Sequence, residues 1–151
     1  MNQFYRILLV EDEAIDAELN KREIRKALPF STFEIVDNKT DYLRQIETFI
    51  PDIIISDFNL PSFDGLTALR IAQDVCPHVP FIMVTGSINE DTAVECMKSG
   101  ASDYVLKDSL KRLGSSVVNA LEQSKIRKER LEAFETIKLN EAKYRYMFHN
   151  N

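Results

Sequence analysis

Five short apolar runs, each separated from the next by a stretch of helical character, constrain this chain more than any other feature. The runs are Arg6–Val10, Phe33–Val36, Asp52–Ser56, Phe81–Val84 and Tyr104–Leu106. The first, third and fourth are almost unbroken aliphatic or β-branched runs, as strands covered on both faces require. Between them, Ala14–Leu28 places Ile15, Leu19, Ile24, Ala27 and Leu28 toward one side. Leu66–Val75 carries Leu66, Leu69, Ile71 and Ala72, and Asn89–Ser99 carries Ala93, Val94 and Met97. Such alternation predicts an α/β fold, a doubly wound five-stranded parallel sheet with right-handed crossovers. Pro51 and Pro80 just before strands, and Gly100 at the close of a helix, punctuate the chain in the same places.

At 151 residues, 44% of them hydrophobic, the chain holds one domain of ordinary size with some residues to spare. The longest clean apolar runs, Ile53–Ile55 and Phe81–Val84, fall far short of the ~18 residues of a membrane span, and the N-terminus has no signal-peptide pattern. Cys76 and Cys96 stand alone, without the spacing of a disulfide scaffold or a zinc site. A cytoplasmic protein without membrane association is expected. Residues 1–108 carry 10 Lys and Arg against 19 Asp and Glu, whereas residues 109–151 carry 9 against 5. An acidic body argues against nucleic acid, which needs a basic face, and the mixed charges of the tail read as a solvated helix surface.

From Ser109 onward proline disappears, and Ser115–Arg145 reads as one extended C-terminal helix. Opposite charges stand four apart at Lys125/Glu129, Lys128/Glu132 and Glu141/Arg145. Its core-facing part is predicted to end near Leu121, which divides the chain into a domain at 1–123 and a helical linker at 124–151. Leu131, Phe134 and Ile137 form a ragged seam that offers a route to a homodimer through this helix.

The residues that follow the strands carry the chemistry. They are Glu11 and Asp12 after the first, Asp57 after the third, Thr85 after the fourth and Lys107 after the fifth. In a parallel doubly wound sheet these positions share the carboxyl edge, where open α/β sheets bind ligands. With the flavodoxin-like strand order 2-1-3-4-5, the first and third strands are neighbours, which brings Glu11, Asp12 and Asp57 into one pocket. Three close carboxylates repel one another and need a cation, and an all-oxygen set suits Mg²⁺. A carboxylate beside Mg²⁺, with a hydroxyl and an ammonium nearby, is suited to receive a phosphoryl group.

Four ordered segments now carry a resemblance. They are Ile7-Leu8-Leu9-Val10-Glu11-Asp12-Glu13, Ser56-Asp57-Phe58-Asn59-Leu60-Pro61 with Asp64-Gly65, Val84-Thr85-Gly86, and Gly100-Ala101-Ser102-Asp103-Tyr104-Val105-Leu106-Lys107. Over residues 4–123 the chain resembles the receiver domains of two-component response regulators. The resemblance implies that Asp57 accepts phosphate from the phosphohistidine of a histidine kinase or phosphotransfer protein. It implies that Asp12, Asp57 and the Asn59 carbonyl hold Mg²⁺, with Glu11 helping through water. It also implies that Thr85 and Tyr104 form a switch, and that Asn59 and Ser87 lie where the acyl-phosphate lifetime is tuned. Such a domain is a signalling phospho-acceptor rather than an enzyme.

One departure stands out. Most receivers place proline after the site lysine, often through a cis bond, whereas this chain has Lys107-Asp108. A non-proline cis bond costs about 3–4 kcal/mol, so a trans bond is expected. Farther on, Glu141-Ala142-Lys143-Tyr144-Arg145-Tyr146-Met147-Phe148 is similar to the opening helix of a PAS sensory domain, which implies a downstream domain of the same chain. Two other classes compete. A haloacid-dehalogenase-type phosphatase, which also forms an aspartyl phosphate, looks for a second acid two residues after its nucleophile, where this chain has Asn59. A pseudo-receiver that only binds partners usually lacks the acceptor acid or the lysine, and Asp57 and Lys107 are both present.

Overall fold

The structure, a computed structural model, describes residues 3–87 and 89–149. In chain order it contains β1 (Tyr5–Val10), α1 (Ala14–Ala27), β2 (Ser31–Val36), α2 (Lys39–Thr48), β3 (Ile53–Asp57), α3 (Gly65–Val75), β4 (Phe81–Thr85), α4 (Glu90–Lys98) and β5 (Asp103–Leu106). A 3₁₀ stretch at Lys107–Arg112 leads into α5 (Leu113–His149). All strand pairs are parallel, and the order is β2-β1-β3-β4-β5, as expected.

The two-residue period of the strands explains the layers. Ile7 and Leu9 of β1, Ile53 and Ile55 of β3, and Ile82 and Val84 of β4 point to one side, where they meet Ile24 of α1 and Leu113, Val117 and Leu121 of α5. Leu8, Val10, Ile54, Phe81 and Met83 point to the other, against Tyr42 and Ile46 of α2, Ala68, Leu69 and Ala72 of α3, and Cys96 of α4. Each fully buried aliphatic side chain contributes roughly 1.5–3 kcal/mol, and central strands that bury both faces need the near-continuous apolar runs read above. Three helices begin on side-chain caps, each worth about 1 kcal/mol. Asn38 accepts from the Asp41 N–H at 2.9 Å, Asp64 from Thr67 at 2.7 Å and Asn89 from Thr92 at 3.1 Å. After α4 the chain turns at Gly100, whose φ of 106° suits glycine alone.

Several expectations need correction. Ile15, Leu19 and Ala27 of α1 are exposed, and Ala17 and Asn20 join the expected Ile24 to form the buried side. A spacing of three and seven residues puts these on one stripe, and Ile15 and Leu19 fall outside it. Likewise α4 buries Cys96, leaving Val94 and Met97 exposed. Both cysteines are buried. Strand β2 begins at Ser31, earlier than expected, because it pairs with β1 from Tyr5 onward. Of the three charge pairs expected on the last helix, Glu141–Arg145 is formed at 2.7 Å, and the other two are not among the ion pairs of the described residues.

Helix α5 stops contributing to the core at Leu121, as predicted, and Leu131, Phe134 and Ile137 are exposed. No cis peptide occurs among the described residues, so Lys107–Asp108 is trans. No helix of the described residues is long and apolar enough to cross a membrane.

Candidate functional site

The carboxyl edge of the sheet assembles the site. The Glu11 N–H donates to the Val36 carbonyl at 2.9 Å, carrying the ladder one residue past β1 and burying the Glu11 side chain. Asp57 is the last residue of β3 and is also buried. Because Val10 lies opposite Ser56 in the register, the residues that follow them meet. Carboxylate oxygens of Glu11, Asp12 and Asp57 all lie within 4.8 Å of one another, with Asp12 at the surface. Lys107 reaches in from the end of β5, two strands away, its ammonium 3.1 Å from Asp57 Oδ2 and 4.0 Å from Glu11 Oε2. A third acid closes on the same ammonium: Asp16 Oδ2 of α1, at 2.8 Å.

The electrostatics follow from burial. Glu11 Oε1 accepts the Glu13 N–H at 3.1 Å, but its Oε2 is buried with no hydrogen-bond partner. Burial pushes the Glu11 carboxyl up to about 7; the Glu13 N–H opposes this, the Asp57 charge adds to it, and Lys107 opposes it again. At Lys107, burial alone would lower the ammonium. The hydrogen bonds to Asp16 and Asp57, with the charges of Asp57 and Glu11, outweigh it and hold Lys107 above the ordinary lysine range. An orphaned carboxylate oxygen beside two more carboxylates is a hard, all-oxygen donor set, and it fits a divalent cation such as Mg²⁺.

The remaining predicted residues ring this centre. Thr85 ends β4, fully buried, and its Oγ1 accepts the Ser87 N–H at 3.4 Å. Tyr104 is half-buried on β5 and donates its hydroxyl to the Ser87 carbonyl at 3.3 Å. Burial raises the Tyr104 phenol and the Thr85 hydroxyl opposes it, while both side chains bond the Ser87 backbone. Asn59 is exposed, and its N–H donates to Asp57 Oδ1 at 3.3 Å.

Sequence reasoning brought Glu11, Asp12, Asp57, Thr85 and Lys107 to one edge, and the structure does the same. It missed Asp16, a helical residue separated by 91 positions from the lysine it holds. Its only signal was an acid one turn into the helix that follows Glu11 and Asp12, indistinguishable from the surface acids around it.

Comparison with known proteins agrees with this geometry. The family model described as "Response regulator receiver domain" matches residues 7–118. The regulatory protein AtoC of Escherichia coli is 31% identical over 132 residues, covering 85% of this chain and 28% of that protein. The regulatory protein LuxO of Vibrio vulnificus is 32% identical over 118 residues, covering 77% of this chain and 25% of its own. The chain thus spans about a quarter of the length of these relatives. Among solved structures, NtrX from Brucella abortus superposes with a TM-score of 0.78 at 26% identity, over 87% of this chain and 30% of that one. A response regulator receiver domain protein from Clostridium thermocellum gives 0.71 at 26% identity, over 81% and 98%. The chain belongs to the response regulator receiver domain family of two-component systems.

Proposed function

We propose that this domain accepts a phosphoryl group on Asp57 from the phosphohistidine of a histidine kinase or phosphotransfer protein, in a reaction that depends on Mg²⁺. The observation that carries this reading is the Lys107 ammonium 3.1 Å from the buried Asp57 carboxylate, beside two further acids. An Asp57 carboxylate oxygen attacks phosphorus, the P–N bond to the imidazole breaks, and the imidazole leaves with the electron pair. Lys107 offsets charge on one phosphoryl oxygen and the Thr85 hydroxyl hydrogen-bonds another. Asp12, Asp57 and the Asn59 carbonyl would hold Mg²⁺, with Glu11 helping through water. When bound, Mg²⁺ neutralises charge on the phosphoryl oxygens and removes the repulsion among the acids.

Phosphorylation adds charge next to Thr85, and Thr85 and Tyr104, both hydrogen-bonded to Ser87, carry the change toward β5 and α4. The chain acts in the cytoplasm. Helix α5 beyond Ser124, exposed on all sides over residues 125–148, is a linker to a following domain of PAS type or to a second copy of the chain.

Intact-mass measurement after mixing with Mg²⁺ and acetyl phosphate tests the reading, with Asp57→Ala and a chelated sample alongside. One added phosphoryl group, absent from both controls, is expected. No adduct together with no Mg²⁺ binding would favour a domain that only binds partners.

A further inference from the structure

We infer that Asp16 is a positioning residue for Lys107, holding its ammonium over Asp57 while the phosphoryl group arrives. This rests on the phosphoryl transfer proposed above. Lys107 opens the 3₁₀ stretch Lys107–Arg112, in which no residue is buried and Ser109 departs from helical geometry (φ −118°, ψ 37°). The lysine stem is four carbons long and flexible, so the backbone alone does not fix its ammonium. The hold comes from across the site.

Of the two acids that hydrogen-bond the ammonium, Asp16 is nearer, at 2.8 Å against 3.1 Å for Asp57. Asp16 sits on a firm base, because the next residue, Ala17, is buried beneath α1. Among the described residues, Lys107 is its sole ion-pair partner. The chemistry separates the two acids. Once Asp57 attacks phosphorus, its carboxylate becomes an acyl phosphate, and the bond from Lys107 passes to a phosphoryl oxygen. The bond to Asp16 takes no part in that exchange. A lysine ammonium has three donors, so it keeps Asp16 as a pivot while another donor follows the phosphoryl group. Asp16 reaches the reacting atoms only through Lys107.

The test uses the full chain at saturating Mg²⁺ with acetyl phosphate as phosphodonor, scoring the initial rate of aspartyl-phosphate formation by mass. Asp16→Asn is expected to lower the maximal rate about tenfold, with the urea midpoint unchanged. Asp16→Glu is expected to recover part of the rate. In a Lys107→Ala background, Asp16→Asn is expected to change nothing further, because its route to the phosphoryl group is gone. A rate for Asp16→Asn equal to or above wild type, or the same loss in both backgrounds, would overturn the inference. A second readout needs no phosphorylation. The Lys107 ammonium ¹⁵N signal is expected to exchange slowly with solvent in the wild type, and like a surface lysine in Asp16→Asn. If the wild type takes up no phosphoryl group and binds no Mg²⁺, the proposed function fails, and this signal still decides the positioning role: no difference between wild type and variant would overturn it.

Discussion

Gly65, the first residue of α3, stands so close to Asp57 that a Cβ built on it would lie 2.5 Å from the Asp57 carbonyl oxygen and 2.8 Å from the Phe58 Cα. Its N–H donates to the Phe58 carbonyl at 2.9 Å, closing the loop that follows β3 back on itself. The Met83 Sδ, at 2.7 Å, belongs to a flexible side chain, but the other two obstructing atoms are backbone and do not swing aside. Gly65→Ala therefore moves the acceptor segment itself. The expected outcome is a loss of about 1–3 kcal/mol in urea unfolding, with weaker Mg²⁺ binding measured on the same sample.

Glu11 makes stability depend on pH. Burial raises its carboxyl from 4.5 to about 7, so between those values the native protein binds more protons than the unfolded chain. Stability therefore falls as pH rises through that window and levels off above it. The Glu11 contribution is bounded by about 3 kcal/mol. Urea unfolding at pH 5.5 and 8 in chelator, compared with Glu11→Gln, checks this, and the variant is expected to lose most of the slope. Added Mg²⁺ is expected to bind the native state alone and so to reverse the trend.

Ile50, between α2 and Pro51, adopts φ 54° with its side chain 62% exposed. A β-branched residue there is strained, whereas asparagine visits this region readily. The Ile50 N–H donates to the Gln45 carbonyl at 3.3 Å, a bond that any non-proline residue keeps. Ile50→Asn is expected to raise stability by about 1 kcal/mol, read from urea or thermal unfolding.

The last helix can be shortened without cost to the domain. Among the described residues the final buried residue of α5 is Leu121, and the last hydrogen bond back to the body is from the Ser124 hydroxyl to the His78 carbonyl at 3.2 Å. A chain ending at residue 126 is expected to keep its unfolding free energy within about 0.5 kcal/mol while losing helical circular dichroism. A larger loss would mean that the exposed seam is buried between two copies.

Much of this protein was legible in its residues. The unbroken apolar runs of β1, β3 and β4 require a sheet covered on both faces, and a parallel sheet puts Glu11, Asp57, Thr85 and Lys107 at one edge whatever the helices do in detail. Strand period and strand direction are local properties, and they carry through to the fold.

The tertiary structure decided what depends on docking. Which stripe of α1 is buried follows from how closely Ala17 lets the helix approach, so Ile15 and Leu19, apolar as they are, face solvent. The partnership of Asp16 with Lys107 and the closeness of Gly65 to the Asp57 carbonyl arise where separate elements meet. A helix carries its 3.6-residue period in its sequence, but its rotation about its own axis is set by packing, and packing is a property of the whole chain.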